Sequence, residues 1–145
     1  MIMPFEFLDD IATADVAFRA WGTTREEMFI AAAEATVRVM VENPDTIAPR
    51  QSRKLRVEDT ELDMLLFQVL QELIFFKDAQ SLLLRLTRGN IEHEDETYRF
   101  VGEARGEAID PDKHHMSVDV KAVTLHRFSV CRTDRGWETT AVLDI

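Results

Sequence analysis

The residues of this chain best suited to chemistry are carboxylates at the ends of strand-like segments. Asp15 opens a segment in which Val16, Phe18 and Ala20 alternate with Asp15, Ala17, Arg19 and Trp21. That period of two predicts a strand, with Asp15 on the side away from the apolar set. Asp144 closes the last strand-like run on the side opposite Leu143 and Ile145, and the sequence stops one residue later, so the α-carboxylate of Ile145 adjoins the Asp144 side chain. If these two strands are antiparallel neighbours, the start of one meets the end of the other and three carboxylates converge at one sheet edge. Such a cluster repels itself without a cation, and an all-oxygen donor set selects a hard ion, calcium or magnesium. The alternative is a solvated acidic edge with no ion, which a chain of formal net charge -10 readily supplies.

Lys121 is the second candidate. In Val118-Asp119-Val120-Lys121-Ala122-Val123-Thr124-Leu125 it shares a strand face with Asp119, Val123 and Leu125. Counting back from a hairpin turn near Asp134 pairs Leu125 with Asp144 and puts Lys121 on the Asp144 face, where a cation could balance the carboxylates or reach a partner's acidic or phosphate group. The competing assignment is a surface lysine on a solvated strand. Other chemistries lack their residues. The five glycines are scattered, with no phosphate loop or dinucleotide fingerprint, and no serine sits in a G-x-S-x-G elbow. His93, His114, His115 and His126 show no H-E-x-x-H spacing, and the adjoining His114 and His115 are expected as solvated loop residues. The lone Cys131 cannot form an internal disulfide and reads as a small buried hydrophobe at a strand end.

The elements that must position these residues follow from pattern. Phe5 to Leu8 reads as a short strand, Asp9 to Thr13 as a polar connection, and Gly22 ends the strand that Asp15 begins. Thr24-Arg25-Glu26-Glu27 fits a capping box opening a helix that runs to about Val41, where Asn43-Pro44 stops it. Met28 and Phe29 on that helix, and Phe67 on the next, are expected in the core. Leu55 and Val57 predict a strand leading to the second helix, capped by Thr60 with Asp63 three residues on. Its stripe of Leu62, Leu66, Val69, Leu73 and Phe76, widened by Leu65, Leu70 and Ile74, is broad enough to lie on a sheet. Strand-like runs then cover Leu82 to Thr87, Thr97 to Ile109, Val118 to Cys131 and Trp137 to Ile145, the last two joined by a turn at Thr133-Asp134-Arg135-Gly136. This order predicts an α+β fold, a two-layer sandwich with two helices on one face of a mostly antiparallel sheet.

Composition bounds the rest. A chain of 145 residues that is 46% hydrophobic and 30% charged is the size and balance of one globular domain. Its 17 basic against 27 acidic residues repel phosphate backbones, so tight direct nucleic-acid binding is disfavoured. The longest apolar stretch, Met64 to Phe76, is interrupted by Gln68, Gln71 and Glu72 and is too short to span a bilayer. With no signal peptide in Met1 to Phe5, the expectation is a soluble cytoplasmic protein.

Several segments, taken in order, resemble one family. Leu8-Asp9, Thr13-Ala14-Asp15-Val16 and Arg19-Ala20-Trp21-Gly22 are similar to the opening L-D-H-T-A-D-V of the archeases and the strand that follows it. Leu70-Gln71-Glu72-Leu73-Ile74 resembles the N-E-L-L helix of that family, and Gly106-Glu107-Ala108-Ile109-Asp110 with Lys113-His114 continues the likeness. Most specific is Val120-Lys121-Ala122-Val123-Thr124-Leu125-His126, close to V-K-A-V-T-Y-H, and the chain closes on Leu143-Asp144-Ile145, like F-D-I. The resemblance implies an accessory protein of an RtcB-type RNA ligase in tRNA splicing and RNA repair. Such a protein promotes guanylylation of the ligase histidine and multiple turnover, and broadens the nucleotide cofactors used. It further implies that Asp15, Asp144 and the Ile145 carboxylate hold calcium and that Lys121 is a required basic residue. Two departures stand out. Asp10-Ile11-Ala12 makes the loop before Asp15 two residues longer and removes its histidine, and Leu125 replaces a tyrosine beside Lys121.

Three functions compete on these grounds. An activator of a ligase would use its acidic surface to meet a basic, RNA-binding partner, speeding encounter and fixing orientation. A metal-dependent hydrolase of a phosphorylated small molecule would use the same carboxylates for a catalytic ion, but needs a general base and further phosphate contacts that the sequence does not display. A general chaperone or binding module would use exposed Phe and Met, independently of calcium.

Overall fold

The computed structural model describes residues 4–8 and 15–145. The expected connection Asp9 to Thr13 and the lengthened loop Asp10 to Ala12 lie outside the described residues, as does the Thr13-Ala14 part of the opening motif. The elements run β1 (Phe5–Leu8), β2 (Asp15–Gly22), α1 (Arg25–Met40), a 3-10 turn (Pro44–Thr46), β3 (Gln51–Asp59), α2 (Leu62–Gln80), β4 (Leu82–Glu94), β5 (Thr97–Ala108), β6 (Ala122–Thr133) and β7 (Gly136–Asp144). The fold is α+β, as the order of elements predicts, and every described strand pairing is antiparallel. The strands divide between two sheets, however, ordered β1-β2-β7-β6 and β3-β5-β4. α1 packs on β2 and β7 of the first and β4 of the second, while α2 packs on β6 of the first and β3, β4 and β5 of the second. Both helices thereby join the two sheets into one core.

Local chemistry explains most boundaries. Thr24 caps α1 by accepting from the Glu27 N–H (3.1 Å), and the Glu27 carboxylate returns to the Thr23 and Thr24 N–H groups. This reciprocal arrangement satisfies donors that a helix start otherwise leaves free. α2 differs from expectation: Glu61, not Thr60, is its cap residue, and its side chain makes no capping bond. Asp63 instead accepts from the Met64 N–H (2.7 Å), and Asp59 accepts from the Glu61 N–H (3.0 Å). With its broad apolar face buried, α2 draws its stability from packing more than from its cap.

β4 runs seven residues past the expected Thr87, because a bulge between Leu86 and Arg88 breaks the alternation from which a strand is recognised. It turns into β5 through Asp95 and Glu96, both in the left-handed region (φ 51° and 63°) that a two-residue hairpin turn requires. The second hairpin turn lies where expected, with Thr133 paired to Gly136 and Gly136 at φ 130°. The core centres on Phe18, Met28, Phe29, Leu66, Leu70 and Phe100, all fully buried, with the Phe29 and Phe100 rings stacked at 5.6 Å. Phe67 and Phe76 are half-buried at its margin.

Candidate functional site

Asp15 and Asp144 are directly opposite one another across the β2–β7 ladder, the first residue of one strand against the last of the other. Facing residues on antiparallel strands hold their side chains on the same side with Cβ atoms roughly 5 Å apart. The next pairs inward are Val16 with Leu143, Ala17 with Val142 and Phe18 with Ala141, all buried or packed against the core, so the two carboxylates occupy a half-buried corner at the end of a well-packed ladder. Two anions held face to face destabilise the pair unless a cation or solvent neutralises them. Among the described residues no group of three or more His, Cys, Asp or Glu side chains converges for a metal ion. Among the described residues the side-chain donors shown to meet at this corner are two, both oxygen, and a hard ion there would take further oxygen donors to complete its shell.

Lys121 reaches the same corner by a different route from the one its sequence suggested. The expected pairing of Leu125 with Asp144 does not occur; Ala122 is the partner of Asp144 and Thr124 that of Val142. Between Thr124 and Ser129 the four residues 125–128 face the single residue Ala141. This wide bulge moves the register by an odd number of residues and so exchanges the two faces. Val123 consequently pairs with Leu143 and is buried, on the face opposite Asp144. Residues 118–121, expected as strand, lie outside β6, so alternation no longer fixes where the exposed Lys121 projects. Its backbone is fixed: the Lys121 N–H donates to the Asp144 carbonyl (2.8 Å).

The segment that delivers Lys121 is anchored along its length. It begins at Glu107, whose buried carboxylate accepts from the Ala48 N–H (2.7 Å), Lys113 Nζ (2.7 Å), His114 Nε2 (2.8 Å) and Arg50 Nε (3.1 Å). The Ala48 N–H, then the Lys113 ammonium and the His114 ring, hold the Glu107 carboxyl down to about 2 against the opposing effect of burial. His114, expected in solvent, is fully buried. Its Nδ1 accepts from the Asp110 N–H (2.9 Å), which leaves the proton on Nε2 to donate to Glu107. Further along, the Ser117 and Val118 N–H groups donate to the Met40 and Val39 carbonyls, satisfying acceptors that the end of α1 leaves open.

Asp119 then accepts from Lys77 Nζ (2.5 Å), and Asp78 lies 2.7 Å from the same ammonium. Burial alone would push Lys77 down, but its bonds to Asp119 and Asp78 outweigh that and raise it. Finally Gln71 Oε1 accepts from the Val123 N–H (2.9 Å), tying the start of β6 to α2. Gln71, Lys77, Glu107 and His114 thus position the Lys121 backbone without any motif spacing that marks them. The sequence signals were the family-like segments that hold Gln71, Glu107 and His114, while nothing in the sequence marked Lys77. Cys131, expected as buried, is exposed and faces Glu138, because β6 is an edge strand and this position lies away from the helices. Among the described residues no helix is long and apolar enough to cross a membrane.

Comparison with known proteins finds relatives along nearly the whole chain. The sequence model of the Archease protein family (MTH1598/TM1083) matches residues 5–145. Protein archease of Pyrococcus furiosus is 37% identical over 134 residues, covering 92% of this chain and 94% of that one. Protein archease of Methanopyrus kandleri is 33% identical, covering 99% of this chain and 100% of its own. The solution structure of Methanobacterium thermoautotrophicum protein 1598 superposes with a TM-score of 0.86 at 30% identity, covering 99% of this chain and 100% of that one. The crystal structure of an archease, possible chaperone, from Thermotoga maritima shares the fold with a TM-score of 0.58 at 18% identity, covering 97% and 98%.

Proposed function

Since the chain belongs to the archease family, we propose that it is a non-enzymatic accessory protein that activates an RtcB-type RNA ligase in tRNA splicing and RNA repair. On this reading it acts in the cytoplasm, promotes guanylylation of the ligase histidine, sustains multiple turnover and broadens the nucleotide cofactors used. The observation that carries the proposal is the register of Asp15 against Asp144, with the Lys121 backbone tied to the Asp144 carbonyl. Asp15, Asp144 and the main chain of Ile145 would hold a calcium ion, with magnesium as the alternative hard cation. The donor chemistry fits: facing carboxylates are all-oxygen, and their mutual repulsion favours a cation between them.

The bound ion would supply a fixed positive centre at the sheet edge. This chain's own residues would do the rest. Lys121, exposed beside that edge, offers an ammonium to an acidic or phosphate group of the partner's site. The anchors at Asp119 and Gln71 hold the Lys121 backbone on either side, so little ordering remains for the moment of docking. The net charge of -10 suits a partner whose own surface is basic because it binds RNA, and disfavours direct contact of this chain with the RNA.

The test is a guanylylation assay with the ligase of the same organism, using wild-type protein, Asp144→Ala and Lys121→Ala, with and without chelator. Loss of stimulation in both variants and in chelator is the expected result. Wild-type stimulation by both variants removes the proposal. Turnover of a phosphorylated small molecule by the protein alone would instead mark a hydrolase, and calcium-independent binding of unrelated unfolded proteins a chaperone.

A further inference from the structure

A cleft of about 1030 Å³ among the described residues is far from the carboxylate corner. It opens at the Gly22 end of β2, seven residues from Asp15, or about 23 Å along an extended strand. One wall is a single face of α1, on which Glu27, Ile30, Glu34 and Arg38 recur at helical spacing. The bulged stretch of β4, Arg85 to Thr87, also lines it, together with Ile47 and Trp21. A cleft of this size is at the upper end of the range that holds small organic ligands.

Its charges are unevenly matched. The Glu27 carboxylate is used by the Thr23 and Thr24 N–H groups of the helix cap. Glu34 and Asp45 are both engaged by Arg85. Arg105 is paired with Glu103. Among the described residues that leaves Arg38 and Arg135 lining the cavity with no ion-pair partner, and Arg38 Nε is sealed from solvent without an acceptor. The last turn of α1 favours a cation at Arg38 whatever it binds. The apolar walls at Ile30, Ile47 and Leu86 point further, to a ligand that is both anionic and apolar, with Arg38 as the guanidinium its acid group would meet.

We propose that this cavity is a second binding site, for a small organic anion whose carboxylate or phosphate monoester meets Arg38 and whose apolar body lies along Ile30 and Leu86 toward Trp21. The assignment is independent of the carboxylate corner and of any ligase. The probes are 1-naphthyl phosphate, 1-naphthoate, neutral 1-naphthol and inorganic phosphate. Each is titrated into the full chain while the two indole N–H resonances, Trp21 and Trp137, are followed by NMR. Saturable one-to-one shifts at Trp21 are expected with the naphthyl anions, with 1-naphthol and inorganic phosphate at least tenfold weaker. The stronger of the two anions identifies the acid group. Arg38→Met should weaken the naphthyl anions at least tenfold while leaving the weak 1-naphthol titration unchanged, and Ile30→Trp should block both. Folding of each variant is checked by its amide spectrum and thermal midpoint. The wild-type comparison of charged and neutral probes stands even if a variant fails to fold. No saturable shift at millimolar probe, equal affinity for 1-naphthol, or binding by a folded Arg38→Met protein as tight as wild type overturns the proposal.

Discussion

Removing one charge from the Asp15–Asp144 pair should reverse its effect on stability according to whether calcium is present. Without the ion, the facing carboxylates cost the native ladder about 0.2–1 kcal/mol, the range for like charges directly across an antiparallel pair. Asp144→Asn keeps the shape and relieves that repulsion, so in chelator the variant should equal or exceed wild type by up to about 1 kcal/mol. With calcium at a hundredfold its dissociation constant, a site present only in the folded state gains about 2.7 kcal/mol. For a domain of this length that is a rise of about 5–10 °C in the unfolding midpoint, which the variant should lose. The assay is differential scanning fluorimetry of metal-stripped protein across a calcium titration, repeated with magnesium. Variant above wild type in chelator, and below it in calcium, is the expected crossing. A wild-type midpoint unmoved by millimolar calcium, or an Asp144→Asn midpoint that rises equally, refutes the reasoning, because the facing carboxylates would then hold no ion.

Three other outcomes follow from the described contacts. Glu107 is held near 2 in the folded chain against 4.5 for an unperturbed glutamate, so its stabilising contribution is fully present above pH 4.5 and is lost as pH falls toward 2. Glu107→Gln should therefore flatten the acid-unfolding profile between pH 5 and 2, and an unchanged profile would remove Glu107 as its source. Thr24→Ala breaks the capping box of α1 and should cost about 1 kcal/mol in urea unfolding, with the slope of the transition unchanged. Leu66→Ala opens a cavity at a fully buried position of α2 and should cost about 2–5 kcal/mol in the same assay.

The sequence made the local elements legible wherever a single physical signal was sufficient. The Thr24–Glu27 box, the alternation from Asp15 to Trp21 and the turn before Gly136 each rest on bonds or angles within a few residues, and each stands in the structure. What it hid is nonlocal. The division into two sheets depends on β3, β4 and β5 pairing only among themselves, which no local pattern encodes, whereas the meeting of Asp15 with Asp144 entertained from the strand ends does stand. The burial of His114 depends on a glutamate that is itself buried only because Ala48 and Arg50 come to meet it. The burial of Lys77 depends likewise on Asp119, forty-two residues away. Charged side chains are read as solvated by default, and only the folded chain supplies the partners that overturn the default.

Lys121 carries the sharpest form of that lesson. Counting from the Asp134 turn assumes a ladder without insertions, and that count holds from Thr133 to Ser129 and then fails. The four residues opposite Ala141 include Arg127 at φ 57° and Leu125, which is 60% exposed, while Phe128 turns inward and meets the Phe67 ring edge-on at 5.8 Å. One aromatic anchored on α2 therefore fixes the bulge, and the bulge sets which residues of β6 face the carboxylates. Had the strand continued in regular register, Val123 would share the Asp144 face and leave the core. Its burial against Leu143 is the apolar gain that the shifted register secures. The same shift places Lys121 just beyond the strand, held by its backbone to the Asp144 carbonyl and unconstrained by the pleat. A basic side chain so placed can turn toward a partner bound at the edge, which a lysine locked into the ladder could not do.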